Sequence, residues 1–440
     1  MGVIFSVATM FVALQSPSVP SGPLTLDQVA ELAERNAFAV RIQMTAVEKS
    51  RLSVKQSQAA LGPQVSGSLA YTRLNEAVST QFGNTSFVTQ PIDSKTGGLS
   101  LQLPIDISGN QRRLIRAGKA NYSASQGTLQ ADLNDARLAA RTDYLAILRA
   151  QAQVKVDESA LQDSQERLKQ AQLQFNQQEI AKIDLLAYET AVDQAKSDLL
   201  NAQNSLDLAR QTLNAELAIP IETPLQVVEV DTLPPLPRDA GSLVKVGQNR
   251  RPEVKALIDT VEALRNITRA TESGQNPSLS FGLNVSTNFD PLPGNQRSTT
   301  TGTLTLNVPF FDSGITRAKV KAARQDELAT KLQLQQAQLT ISKDVRASIT
   351  TLASAKARYE NAQAQVGYAQ ETYRLAIVKQ NAGEGTYVEV IDAQNSLTQA
   401  KNGLLGAKYD YLNAYAQLQR AIGVDDISAA LAAPSLGGTK

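Results

Sequence analysis

Gln399-Ala-Lys401-Asn-Gly-Leu404-Leu405-Gly-Ala407 restates Gln194-Ala-Lys196-Ser-Asp-Leu199-Leu200-Asn-Ala202, an offset of 205 (399 against 194) in a chain of 440 residues. The same offset pairs Asp184 with Glu389, Leu213 with Leu418 and Leu217 with Ile422. Toward the N-terminus it pairs Arg112 with Arg317, Gly109 with Gly314 and Pro104 with Pro309. A register held over roughly 110 positions is an internal duplication, and it organises every other feature of the chain.

Each copy begins as a helix and then changes period. Thr25-Leu-Asp27-Gln28 is a capping box, with the hydroxyl taking an orphan N–H while Gln28 reaches back. Val29, Leu32, Ala33, Val40, Ile42 and Val47 continue a helical apolar pattern to about Leu61, where Gly62-Pro63 stops it. The second copy opens at Arg251-Pro252-Glu253, with Pro at the first helical position, and ends before Gly274. Alternation follows: Val65, Leu69 and Tyr71 against Ser66, Ser68 and Thr72, then Leu99, Leu101, Leu103 and Ile105 against Ser100 and Gln102. In the second copy Leu279, Phe281, Leu283 and Val285 alternate with Ser and Asn, and Leu304, Leu306, Val308 and Phe310 with Thr and Asn. Strands are therefore expected over 64–74, 98–105, 278–287 and 302–310, each about 9–11 residues, the length that a tilted strand needs to cross a bilayer. The polar linkers Arg73–Thr96 and Asn288–Thr300 are expected to be exposed loops. Four strands cannot close a barrel, and hydrocarbon tolerates no open sheet edge, so in a membrane the chain must oligomerise; two soluble hairpins are the alternative.

Beyond each second strand lies a short turn, Asp106-Ile-Ser-Gly109 or Phe311-Asp312-Ser313-Gly314, and then a very long helix. From Gly109 to about Asn176 there is no Pro, and at 1.5 Å per residue such a run spans on the order of 100 Å. A break at Asn176–Ala181 precedes a return helix to about Leu217. The twin runs from Gly314 to about Gln380, breaks at Asn381-Ala-Gly-Glu-Gly-Thr386 and returns to Ile422. Ala-rich faces let neighbouring helices approach closely, as in a coiled coil. The expected order is a first repeat over 24–218 with its hairpin at 109–217, then a Pro-rich connector over 219–245. A second repeat over 246–423, with its hairpin at 314–422, and a tail over 424–440 complete it. Residues 1–20 are apolar at the start and carry no charged side chain before Pro17, which suits a signal peptide.

Composition narrows function. The net charge of +1 gives no field for nucleic acid, so no nucleic-acid partner is expected. Neither Cys nor His occurs. That removes disulfides, thiolate metal sites, Ser-His and Cys-His nucleophilic arrangements and the commonest metal ligand, and no P-loop pattern is present. Neither a cofactor, a metal nor enzymatic activity is expected.

Two repeats of helix, strand, strand and long helical hairpin resemble the TolC-type outer membrane efflux proteins, over nearly the whole chain beyond residue 24. Asn381-Ala-Gly383-Glu-Gly-Thr386-Tyr-Val-Glu389-Val-Ile-Asp392-Ala-Gln394 is similar to the family's hairpin tip, and Arg251-Pro252-Glu253 to its recurring Arg-Pro-acid. The resemblance implies a mainly α protein with a membrane β segment. In it, three chains donate four strands each to a twelve-stranded β-barrel, continuous with a twelve-helix α-barrel. It implies a homotrimer in outer membrane lipid that reaches into the periplasm. There it would be opened at its periplasmic tip by an adaptor (membrane fusion) protein and an inner-membrane pump of the RND, ABC or MFS type. Carried over by position, Asp184, Glu389 and Asp392 become carboxylate rings at the gate, while Gln178, Ala181, Gly383, Gly385 and Thr386 meet the adaptor. The other reading of those acids is a favourable place in the first turn of a return helix. Gln178 departs from the family's usual Gly, and Gly385 from the basic residue of some members.

Arg112, Arg116 and Lys119 match Arg317, Lys321 and Arg324 at the common offset, with Arg113 and Lys319 nearby. Cations at a helix N-terminus oppose the dipole, so this basic belt calls for lipid phosphates or a neighbouring protomer's carboxylates; a solvated surface is the other reading. A coiled-coil scaffold without a pore is the alternative to the duct, and would fractionate away from the outer membrane.

Overall fold

The structure is a computed structural model that describes residues 22–425 and 427, apart from 84, 231, 238, 293 and 294. The expected leader at 1–20 lies outside the described residues, as does the expected tail but for Val424, Asp425 and Ile427. The described chain falls into two compact units. One draws on residues 22–44, 129–252 and 338–427, the other on Thr45–Thr128 and Glu253–Ala337.

The capping box forms: the Thr25 backbone N–H donates to Gln28 Oε1 at 2.9 Å and the Gln28 N–H to Thr25 Oγ1 at 3.4 Å. It starts α1 (Leu26–Asn36), but the single helix expected to Leu61 is two. Ala37 leaves the helical region (φ −51°, ψ 131°), and α2 (Phe38–Ala59) follows. The break lets Val29, Ala33, Ala37 and Val40 all turn into one core. After β1 (Gln64–Arg73), the segment expected to be a loop forms β2 (Val78–Phe82) and β3 (Thr85–Gln90), an exposed antiparallel hairpin. Val78, Thr80 and Phe82 alternate with Ser79 and Gln81, and a pattern rich in β-branched and aromatic residues favours strand over coil. Then come β4 (Asp93–Ile105), which starts five residues before its expected position of 98, α3 (Asn110–Asn176) and α4 (Lys182–Glu216).

The connector expected over 219–245 ends early, because α5 (Ala240–Arg250) is helical and belongs to the second copy. Asp239 caps it, its Oδ1 accepting from the N–H of Gly241 at 2.9 Å and of Ser242 at 3.2 Å. Arg251 is extended, as a residue before proline tends to be, and α6 (Pro252–Glu272) starts on that proline. The pair α5–α6 is thus the counterpart of α1–α2. Strand β5 (Ser278–Asn288) follows; β6 (Ser298–Asn307) is displaced from the expected 302–310, with Pro309 beyond its end unable to donate a ladder hydrogen bond. Helices α7 (Ile315–Asn381) and α8 (Tyr387–Ile422) follow. Helix and strand starts before the inter-strand loop differ by 214 (26 against 240, 64 against 278). Starts after it differ by 205 (110 against 315, 182 against 387). The nine-residue slip is the first copy's longer loop, the one that holds β2 and β3.

In the second unit the sheet order is β1-β4-β5-β6, antiparallel throughout, which leaves β1 and β6 as open edges. Opposed residues share a face, and the register sets like against like: Val65 with Leu101, Leu101 with Leu283, Leu279 with Leu306, Phe281 with Leu304. On the other face the Ser66 and Ser100 hydroxyls meet at 2.7 Å. The apolar face is uncovered, with Leu69 at 83% and Leu304 at 66% exposure. Within the same unit α3 packs on α6 at Gly127, where a Cβ would stand 3.0 Å from that of Ala256. Among the described residues no helix is long and apolar enough to cross a membrane.

The main core of the first unit gathers Val29, Val40, Leu145, Ile147, Leu213 and Leu217 around Tyr144, which is fully buried. The Tyr144 hydroxyl lies 2.6 Å from the Val228 carbonyl and 2.9 Å from that of Leu24, and accepts from the Val228 N–H at 2.9 Å. It ties α3 to the connector beside the parallel bridge of Leu24 with Val227. Tyr144→Phe removes the hydroxyl's bonds to the Leu24 and Val228 backbone, leaving the Val228 N–H on the Leu24 carbonyl at 3.1 Å, and should cost about 0.5–1.5 kcal/mol in a denaturant melt. A loss within error would remove the hydroxyl from this role. Burial, and then the neighbouring Glu216 charge, push the Asp143 carboxyl up to about 6 from 3.8. The folded state therefore holds this proton more tightly than the unfolded state does. Its contribution to stability is full below about pH 4 and is lost as pH rises through about 6. Asp143→Asn should flatten that limb of a Tm-against-pH curve, and a limb of unchanged slope would assign it to other groups.

Candidate functional site

The two hairpin tips are built by the same backbone device. Gln178 (φ 63°) and Gly383 (φ 76°), one offset of 205 apart, both take the left-handed conformation. In the first tip the N–H of Gln178 donates to the Phe175 carbonyl and that of Glu179 to Gln174, each at 2.9 Å. In the second the N–H of Gly383 donates to Gln380 and that of Glu384 to Lys379, each at 3.0 Å. The departure at Gln178 is therefore chemical, with the turn itself unchanged, at a cost of about 1–2 kcal/mol for a left-handed non-glycine residue. At Gly385 a Cβ would stand 3.0 Å from the Gln380 backbone nitrogen, so any side chain here would crowd the backbone of the turn. Gln178, Ala181, Gly383 and Thr386 are exposed and Gly385 is half-buried, so all five lie on or beside the surface of the tips.

The three acids expected at the gate have different surroundings. Asp184 is half-buried and its Oδ2 accepts from the Ala181 N–H at 3.2 Å, capping α4. Glu389 lies 3.5 Å from Lys379 across its own hairpin, while its N–H is capped by Thr386 Oγ1 at 3.3 Å. The Asp392 side chain is exposed and has no hydrogen-bond or ion-pair partner among the described residues. Of the three, Asp392 alone presents an uncommitted carboxylate.

Near the tips a set of contacts joins the first hairpin to the second, and sequence reasoning did not find it. Arg167 on α3 donates through Nε to the Tyr373 hydroxyl on α7 at 2.8 Å, with the guanidinium 5.1 Å from that ring's centroid. Gln380 Nε2 donates to the Tyr188 hydroxyl at 3.2 Å, and Tyr188 meets Tyr387 edge to face at 5.9 Å. Gln394 Nε2 donates to Ser164 Oγ at 3.1 Å. Burial raises the Tyr188 phenol, and burial followed by the Asp184 and Glu179 charges raises that of Tyr387. Both therefore stay neutral hydroxyls at physiological pH. The signal in the sequence was tyrosine interrupting Ala/Gln-rich helices, but which helices adjoin was not legible.

The basic belt lies in the second unit. Its acids are Asp106 and Asp312, which cap α3 and α7: Asp106 accepts from the N–H groups of Gln111 and Arg112, and Asp312 from those of Gly314 and Thr316. Arg112 lies 3.6 Å from Asp106, Arg324 reaches Glu272 at 2.8 Å, and Arg113 bonds the Ser108 carbonyl and the Ser273 hydroxyl. Arg116, Lys119, Arg317, Lys319 and Lys321 are exposed, with no such partner among the described residues. Among the described residues no cluster of acids could hold a metal ion.

A sequence profile described as outer membrane efflux protein matches residues 29–218 and 243–424, the two copies with the connector left out. The cobalt-zinc-cadmium resistance protein CzcC of Cupriavidus metallidurans is 24% identical over 417 residues, 92% of each chain. Outer membrane protein TolC of Escherichia coli is 22% identical over 76% of this chain and 70% of its own. The crystal structure of the Campylobacter jejuni CmeC outer membrane channel superposes with a TM-score of 0.79 at 18% identity, over 92% of this chain and 88% of that one. With both repeats matched in order, the chain belongs to the outer membrane efflux protein family, the TolC-type channels: it is an outer membrane exit duct that extends into the periplasm.

Proposed function

We propose that three copies of this chain close one barrel and form a passive conduit without catalysis of its own. A periplasmic adaptor and an inner-membrane pump of the RND, ABC or MFS type would open it at the hairpin tips. The observation that carries the reading is the pair of open edges, β1 and β6, on a sheet whose apolar face is uncovered. Each unpaired peptide group in hydrocarbon costs several kcal/mol, and pairing β1 of one copy with β6 of the next removes both edges. Three copies give twelve strands, a barrel wide enough for a wet lumen, and the Ser, Thr, Asn and Gln face supplies its lining.

At the tips, exposed Asp392 is the residue for a carboxylate ring, where repeated acids favour cations as charged constrictions do. Asp184 and Glu389 serve the turns that position it. The Arg167–Tyr373 and Tyr188–Gln380 contacts hold a protomer's two hairpins together, so a partner that opens the duct must part them. The exposed tip residues Gln178, Ala181, Gly383 and Thr386, with Gly385 beside them, offer the adaptor its first contact.

In detergent extracted from an outer membrane fraction, the native protein mass should be three times that of the mature chain. Single cysteines placed along β1 and β6, in a chain that has none of its own, should include pairs that cross-link between chains. A detergent-free monomer or dimer would overturn the shared barrel. In planar bilayers Asp392→Ala should move cation selectivity toward unity, while Asp184→Ala should leave selectivity alone and cost about 0.5–2 kcal/mol of stability through the lost cap. Arg167→Ala should raise open probability on the order of tenfold, from a hydrogen bond to a charged group. Unchanged currents in Asp392→Ala and Arg167→Ala would move the gate elsewhere.

A further inference from the structure

The start of each long helix carries cations and no acids. From Ile107 to Ala131 there are four, Arg112, Arg113, Arg116 and Lys119, and no Asp or Glu before Asp132. From Ser313 to Gln325 there are four more, Arg317, Lys319, Lys321 and Arg324, before Asp326. Residues 112, 116 and 119, and likewise 317, 321 and 324, recur at helical spacing, so each set forms one stripe. Five of the eight cations have no hydrogen-bond or ion-pair partner among the described residues. The helix ends themselves are already capped by Asp106 and Asp312, so these five cations are not needed as caps there. Immediately before each stripe comes exposed apolar surface: Phe310 at 94% and Phe311 at 86% ahead of α7, and Ile107 at 51% ahead of α3. Apolar side chains at the strand end, followed within two turns by a one-sign cationic stripe, form the profile of a surface that straddles acyl chains and headgroup phosphates.

We propose that this belt is a binding site for anionic phospholipid, the phenyl rings and Ile107 in the acyl boundary and the five free cations on headgroup phosphates of the periplasm-facing leaflet. The proposal rests on the membrane-barrel reading. Charge complementarity favours lipid over the same stripe of a neighbouring copy: residues 112–119 and 317–324 carry cations and no acid, so like stripes would repel.

The test is native mass spectrometry of the detergent-extracted full-length assembly, titrated with phosphatidylglycerol or phosphatidylcholine of identical acyl chains. The native chain should retain phosphatidylglycerol preferentially, and excess inorganic phosphate should leave that retention unchanged. The variant R116Q/K119Q/R317Q/K319Q/K321Q should lose retention by roughly fivefold per cation removed, whereas K155Q/K169Q should not. Should the full variant fail to assemble, R116Q/K119Q and R317Q/K319Q/K321Q made separately should each show a partial loss. Equal retention of the two lipids by the native assembly overturns the proposal, as does unchanged retention in the separate variants. Loss of assembly in those variants, with no lipid preference in the native protein, assigns the belt to carboxylates of the neighbouring copy and overturns it too. A chain that needs no detergent would sink the barrel reading itself, while an intact assembly indifferent to lipid charge sinks only the lipid site.

Discussion

Hydrocarbon offers a peptide N–H or C=O no partner, so a sheet in a membrane must end in itself. The sheet of this chain does not: β1 and β6 leave two free ladders, one from each copy of the duplication. Most of the remaining design follows from that constraint. A duplicated chain places the two free edges at opposite sides of one sheet, where a rotation that superposes copies brings unlike edges together and closes the ring. The alternating register then sorts Leu and Val to one face and Ser, Thr and Gln to the other without further instruction, because opposed residues in antiparallel pairs share a side.

Much of this was legible in the sequence because period and punctuation are local. The strands announced themselves by alternation, the hairpins by runs without proline, and α1 by its capping box. What was not legible came from two causes. A nine-residue slip in the inter-strand loop breaks the 205 register on its N-terminal side, so α5 had no twin at the expected offset and was absorbed into the Pro-rich connector. The hairpin β2–β3 is hidden by the polarity of its segment, which outweighs the short alternation at Val78, Thr80 and Phe82. Ala37 is a third kind of miss. Its sequence is compatible with helix, and the break there is set by tertiary packing of Val29, Ala33 and Val40 around Tyr144.

For the candidate site, residue identity was legible and residue circumstance was not. Asp184 and Glu389 occupy equivalent places in the duplication, yet one caps a helix and the other pairs with Lys379. The difference traces to the neighbouring caps. Thr386 has a hydroxyl that takes the Glu389 N–H, and the Glu389 carboxylate turns to Lys379; the Ala181 side chain has no polar atom, and the Asp184 carboxylate takes the Ala181 N–H. Asp392, one turn further in, escapes that demand. The Arg167–Tyr373 contact was hidden for a different reason, since it joins residues 206 apart in the chain whose proximity depends on how two hairpins pack.

The belt follows the opposite rule. Acids near helix N-termini are explained by the fold, because the dipole and the orphan N–H groups favour them. Cations there are disfavoured by about 0.3–1 kcal/mol each. Arg112 and Arg113 in the first turn of α3 and Arg317 in that of α7 therefore work against the helices that bear them, and Asp106 and Asp312 offset only part of that repulsion. The five cations of the belt that pair with nothing among the described residues are left to a partner outside the protomer. The exposed Phe310 and Phe311 beside them narrow the chemistry, because water is a poor environment for both rings and a lipid boundary suits rings and cations together.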